Sequence, residues 1–422
     1  MSNSEKLYGL PIPALMRGLC DLKIEWTIFT PNCEPFAELK QILQGVTIVP
    51  TASRGVFLAS DTQDPSVVFV PNRQLPTVLN ALSQFETTRT HPLVLIVEDH
   101  PGIAPHIQTR SFLSDAGITS LEPSNAMESE FIGFSAGKLA AVTKKPIAII
   151  AHHGLLGASA SAVESTAVET AMTRIHGETD DAIRLSRRLE LNRQRTLPSP
   201  GERGSVGFIT VGLADSSLRY LVSKLGLLGR VPTLNIRLVT PLDAVPIKRL
   251  LTRCHNLVVL EPRPGEVETK VMDIAEQMRR DGEEVALVWG KELPPVDPED
   301  IPITVPVDAI HPSVVARMIK HLLHDTRPSS GVESQLLTPR PPLQVRPSRR
   351  PRLGTAAALQ VLSDAAKSSA STFLDYTFTV DGSLLHKAEG KTVSIETWGS
   401  SRFYTDGLAI AQSLAGRSET RV

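Results

Sequence analysis

The chain has 422 residues, 41% hydrophobic and 21% charged, which is enough for two or three domains with cores of their own. Its 44 Lys and Arg balance 45 Asp and Glu to a formal charge of −1, so no net field draws it to nucleic acid or a membrane surface. Three cysteines (Cys20, Cys33, Cys254) without CxxC spacing build no zinc or iron–sulfur site, and read as reduced thiols of a cytoplasmic protein.

The opening MSNSEKLYGLPIP has no basic segment followed by an apolar run, and no stretch is apolar for the length of a membrane span, so neither a signal peptide nor a membrane is expected. IEWTIF, GVTIVP, SVVFVP, PLVLIVE and PIAIIA then read as strands, alternating with amphipathic stretches such as PFAELKQIL and LPTVLNALSQF. Continuous Val and Ile is what a parallel sheet covered on both faces needs, so residues 1–170 are expected to form a doubly wound α/β domain. Residues 171–203, rich in Arg, Leu and Glu and closing on LPSPGERG, read as a helical connector. From 204 to 325 the alternation resumes: VGFITVG, PTLNIRLV, NLVVLEP and EVALVWG as strands, separated by SSLRYLVSKLGLL, DAVPIKRLLTRC and EVETKVMDIAEQMRR as helices. A smaller α/β domain follows from that. Residues 326–354 are dense in Pro, Ser and Arg and read as a linker, with RPSRRPR a solvated cluster. Residues 355–422 carry two short helical patterns and are too few for a stable core alone.

This order of pieces resembles the large subunit of indolepyruvate ferredoxin oxidoreductase, among the thiamine-diphosphate-dependent 2-oxoacid oxidoreductases. Three segments carry the resemblance. HPLVLIVEDHPGIAPHIQTRSFLSDAGITSLEPSNAMES is similar to that family's strand, DPG-type turn and Gln/Thr/Arg segment. GFITVGLADSSLRYLVSKLGLLGRVPTLNIRLVTPLD looks like the start of a transketolase C-terminal-like domain, with NLVVLEPRPGEVETKV after it. RPRLGTAAALQVLSDAAKSSASTFLDYTF stands where a diphosphate-binding domain opens, so 355–422 is expected to be a truncated segment of that kind. The first domain also resembles the pyrimidine-binding half of sulfopyruvate and phosphonopyruvate decarboxylases, through FTPNCEPFAEL and PNRQLPTVLNALSQF.

The resemblance implies thiamine diphosphate and Mg²⁺ as cofactors. It also implies a homo-oligomer, or a second subunit supplying the diphosphate-binding site. The cofactor acts as a carbanion sink. A protein glutamate must hold its pyrimidine ring nitrogen, and the matching place is Thr51 to Arg54, where the chain offers Ala52 and Ser53. No glutamate occurs from Gln44 to Asn80, and Asp61 and Asp64 lie beyond the next helical stretch. Neither a GDG metal motif nor cluster cysteines are found, so no catalytic or metal residue is assigned and no iron–sulfur cluster is expected in this chain.

Polar residues just past apolar strands sit where ligands bind in such folds. Thr30, Pro31 and Asn32 follow the first strand, and Asn72, Arg73 and Gln74 the third. With Ser53 they form the candidate cofactor-binding set, against the alternative of plain strand-to-helix turns. Glu98, Asp99 and His100 read as a solvated turn or an acid–base group, and GLADS (212–216) as a helix cap or an anion site. The expected function is a 2-oxoacid oxidoreductase-like subunit, inactive alone. The alternatives are a non-catalytic scaffold or regulatory relative, and the pyrimidine subunit of a 2-oxoacid decarboxylase.

Overall fold

The computed structural model describes residues 11–19, 22–30, 46–62, 64–84, 91–99, 107–152, 155, 181–199, 201–224, 226–262 and 265–293, with short pieces near 303, 315, 318, 371–375, 393–396 and 420. Five strands fall where the apolar runs predict them: β1 (Trp26–Phe29), β2 (Val46–Ile48), β3 (Ser66–Val70), β4 (Leu93–Asp99) and, after the shorter β5 (Thr119–Leu121), β6 (Ile147–His152). They are mutually parallel, and β3 and β4 are buried at every position, the signature of a sheet covered on both sides. The helices are α1 (Pro11–Gly18), α2 (Ala52–Thr62), α3 (Leu75–Ser83), α4 (Thr109–Asp115) and α5 (Ser129–Thr143).

One face of the sheet sends Phe29, Val67, Phe69, Val94, Ile96, Ile147 and Ile149 into a core closed by Leu15 and Leu19 of α1 and Phe131, Phe134 and Leu139 of α5. Phe29 and Phe69 stack at 4.0 Å. The two helices pack backbone to backbone, because a Cβ at Gly133 would stand 2.1 Å from the Leu15 carbonyl oxygen. In α2, Val56 and Ala59 are buried whereas Phe57 is 38% exposed, so the domain holds this helix through its small residues.

After α6 (Ala182–Arg188) and β7 (Arg193–Arg195), a second sheet is built from β8 (Gly204–Val211), β9 (Thr233–Ile236), β11 (Cys254–Leu260) and β12 (Leu287–Trp289). α7 (Ala214–Lys224), α8 (Ala244–Arg253) and α9 (Glu266–Arg280) accompany it. Apolar clusters on both faces enclose the sheet. The run PTLNIRLV is not one strand. It breaks at Arg237; β9 stays in the second sheet, while β10 (Leu238–Thr240) crosses to pair antiparallel with β5. The orders are β10-β5-β6-β4-β3-β1-β2 and β12-β11-β8-β9-β7. Both sheets belong to one compact unit, Met1–Asp99 with His106–Leu337. It also holds a hairpin of β13 (Glu292–Leu293) and β14 (Ile303–Thr304). The other unit, His100–Pro105 with Thr338–Val422, contains a parallel sheet of order β16-β15-β17, from Val393–Glu396, Ser371–Asp375 and Thr420–Arg421. Among the described residues no helix is long and apolar enough to cross a membrane.

Candidate functional site

In a doubly wound sheet, neighbouring loops leave in opposite directions where the strand order reverses, and a crevice opens at the carboxyl ends. In the first sheet that point lies between β1 and β3, since β2 is added on one side of β1 and β3 on the other. Thr30 follows β1 and Asn72 follows β3; both are fully buried. The Thr30 hydroxyl and both polar atoms of the Asn72 amide have no hydrogen-bond partner among the described residues. An unmet buried polar group costs about 1–3 kcal/mol, so such groups persist mainly where a ligand or mechanism uses them.

Gln74 and α2 close this rim from above. The Gln74 side-chain oxygen accepts the Ala52 N–H at 2.7 Å, satisfying a donor of the first turn of α2. β1 lies between β2 and β3, and the Val49 N–H donates to the Phe29 carbonyl, so this contact spans the end of β1 with Thr30 on the strand beneath. Ser53 is half-buried, its hydroxyl 3.0 Å from that of Thr51, and Arg73 is exposed. Pro31 and Asn32 lie outside the described residues, as does His100. The structure thus brings Thr30, Asn72 and Gln74 to one crevice and leaves Ser53 and Arg73 at its outer edge.

Glu98 and Asp99 are buried at the end of β4 and do not form a solvated turn. A Glu98 carboxylate oxygen accepts the Asn72 N–H at 3.4 Å, and Asp99 accepts the Thr109 hydroxyl at 2.8 Å. Residue type and position, a carboxylate pair ending a strand buried on both faces, signal this pair in the sequence.

The segment Thr51–Arg54 holds no carboxylate. Asp61 is exposed, and Asp64 accepts the indole N–H of Trp26 at 3.1 Å, at the amino end of β1. Four residues of strand separate Trp26 from Thr30, roughly 13 Å. The residues at the α2 terminus therefore do not fit the activation of thiamine diphosphate.

The second sheet reverses its order between β8 and β11, and that crevice is filled by the chain itself. Arg110, buried on α4, donates through Nε and Nη2 to Glu122 at 2.8 and 2.7 Å and through Nη1 to the Pro262 carbonyl at 2.6 Å. Its Nε is 3.8 Å from Glu261, which follows β11. Burial alone would lower the Arg110 pKa, but the Glu122 and Glu261 carboxylates hold it above the ordinary arginine value. Burial pushes Glu261 up to about 7, against the opposing pull of Arg110. Glu122 packs on the turn after β8, where a Cβ at Gly212 (φ +53°) would stand 1.9 Å from its carboxylate oxygen. Asp215, in the first turn of α7, is held by Arg195 at 2.8 and 3.1 Å and by the Thr210 hydroxyl. The GLADS turn is thus taken up by side chains of this chain. Sequence reading marked Arg110 only as part of a segment and missed Glu122 and Glu261, whose pairing spans both halves.

At the seam between the sheets the fully buried Arg237 pairs with Glu128, and its guanidinium carbon lies 5.8 Å from the Phe131 ring centroid. The Arg237 and Leu238 N–H groups both donate to the Asn192 side-chain oxygen at 3.0 Å.

No family model and no curated protein matches this sequence. Among solved structures, a 2-oxoglutarate:ferredoxin oxidoreductase from Magnetococcus marinus, with 2-oxoglutarate, coenzyme A and succinyl-CoA bound, is similar at a TM-score of 0.51 and 13% identity. The similarity covers 74% of this chain and 64% of that one, so the chain spans less than two thirds of its neighbour. At that identity the likeness is one of fold: this chain is built on the α/β architecture seen in a 2-oxoacid:ferredoxin oxidoreductase.

Proposed function

We propose that this chain is an indolepyruvate-type relative of the thiamine-diphosphate-dependent 2-oxoacid oxidoreductases that does not turn over alone. It contributes the β1–β3 crevice, and a partner subunit or second copy contributes the diphosphate and Mg²⁺ site. The observation that carries this is the pair of buried, unpartnered side chains, Thr30 and Asn72, at the point where the strand order reverses. In this reading Thr30 and Asn72 bind and orient the ligand, with Gln74 at its edge. Pro31, Asn32, Ser53 and Arg73 complete the set. Thiamine diphosphate, when bound, supplies an electron sink for the 2-oxoacid carbon.

A second reading, a scaffold or regulatory relative without catalysis, is favoured by the Ala52–Gln74 contact and by the absence of glutamate from Gln44 to Asn80. The deciding experiment is purification of the tagged chain from its native cells, followed by 2-oxoacid-dependent ferredoxin reduction with thiamine diphosphate and Mg²⁺. Turnover by the co-purified complex but not by the chain alone supports the subunit reading. No turnover in either leaves the non-catalytic reading standing.

A further inference from the structure

The Ala52–Gln74 hydrogen bond fixes more than the end of a helix. Its donor is a backbone N–H, so the Gln74 atom that meets it is the amide oxygen, and the amide orientation is set. The amide nitrogen, bonded to the same carbon, must lie beside it at the mouth of the crevice. It makes no hydrogen bond among the described residues. Beneath it the Thr30 hydroxyl and the Asn72 amide are buried and unpartnered. Activating thiamine diphosphate requires the reverse: an acid whose ionised oxygen accepts an N–H from the pyrimidine ring. Here the α2 terminus has already taken the one side-chain oxygen that Gln74 owns.

We infer that Gln74 makes this rim a hydrogen-bond donor toward its ligand, so that the crevice holds an aminopyrimidine through a ring-nitrogen lone pair and does not promote its ionisation. The inference rests on the proposed function, because it takes the β1–β3 crevice to be the pyrimidine site. A neutral amide cannot exchange the proton that a carboxylate would, and the ligand stays in its ground tautomer. Gln74→Glu keeps an oxygen on the Ala52 N–H, where the helix dipole favours a negative charge, and converts the neighbouring donor into an acceptor. The variant is therefore expected to fold as the parent does.

The test uses the full chain, thiamine diphosphate and Mg²⁺, with two readouts: calorimetric binding, and exchange of the cofactor's C2 proton for deuterium followed by NMR. The parent is expected to bind while exchange proceeds no faster than in the free cofactor. Gln74→Glu is expected to bind and to raise exchange by roughly 10²-fold or more, the range typical of a positioned proton-transfer group. Accelerated exchange in the parent would overturn the inference and leave the pyrimidine site intact. Binding by the variant without acceleration would also overturn it, since the acid would then belong elsewhere on the rim. Absence of binding by both proteins would overturn the crevice reading itself.

Discussion

The two sheets are wound alike. In each, the second strand is added on one side of the first and the next parallel strand on the other, so β1–β3 and β8–β11 are equivalent places. The second crevice is filled by Arg110 and Glu122 from the first half of the chain, with every described polar group of Arg110 engaged. The first holds Thr30 and Asn72 with polar atoms unmet. Topology opens a crevice in both; side chains decide whether it becomes a joint or a receptor.

If the second crevice is a joint, its groups are worth stability. Arg110→Ala strands Glu122 and Glu261 in the interior and is expected to cost about 3–5 kcal/mol in denaturant unfolding. A loss under about 1 kcal/mol would show that solvent reaches the cluster. Gly212→Ala drives a methyl into the Glu122 carboxylate at a left-handed backbone position, and a loss of roughly 1–3 kcal/mol is expected in the same measurement.

The joint also carries a pH signature. Glu261 titrates near 7 when folded, above its unfolded value of 4.5, so the native state binds more protons between these limits. Stability from this group is therefore full below about pH 4.5 and falls as pH rises through 7. A melting temperature that declines over that window in the parent, and declines less in Glu261→Gln, is the expected result.

If the first crevice is a receptor, its groups are worth binding instead. Thr30→Val and Asn72→Leu are expected to change stability by less than about 1 kcal/mol, with stabilisation possible because an unmet polar group is removed. Calorimetry should show ligand affinity falling at least tenfold. A large stability loss with unchanged affinity would make both crevices joints.

The strands of both sheets were legible because fully buried β segments must be apolar without interruption, as in SVVFV and LVLIVED. The helix EVETKVMDIAEQMRR matches its reading residue for residue, since its apolar spacing and its charged termini agree. The split of PTLNIRLV was not legible: β9 and β10 are equally apolar, and only the arginine between them, drawn to Glu128 more than a hundred residues earlier, marks the crossing. Leu228 joins the helical stripe of α7 on paper, yet α7 ends at Lys224 and Leu228 is 62% exposed. Thr30, Asn72 and Gln74 were readable as rim residues because a polar residue after a buried strand sits at the carboxyl edge. That Gln74 spends its oxygen on Ala52 depends on the reach across β1, which no local pattern encodes.

The crossing of β10 has a consequence in time. The β5 edge of the first sheet is covered by three residues that are synthesised more than a hundred positions later, after β8 and β9. As the chain emerges from the ribosome, the first sheet must wait with one edge unpaired, and an unpaired strand is a template for stray association. Completion of the first half is thereby tied to translation of the second, and a chain stopped before Leu238 would leave that edge bare.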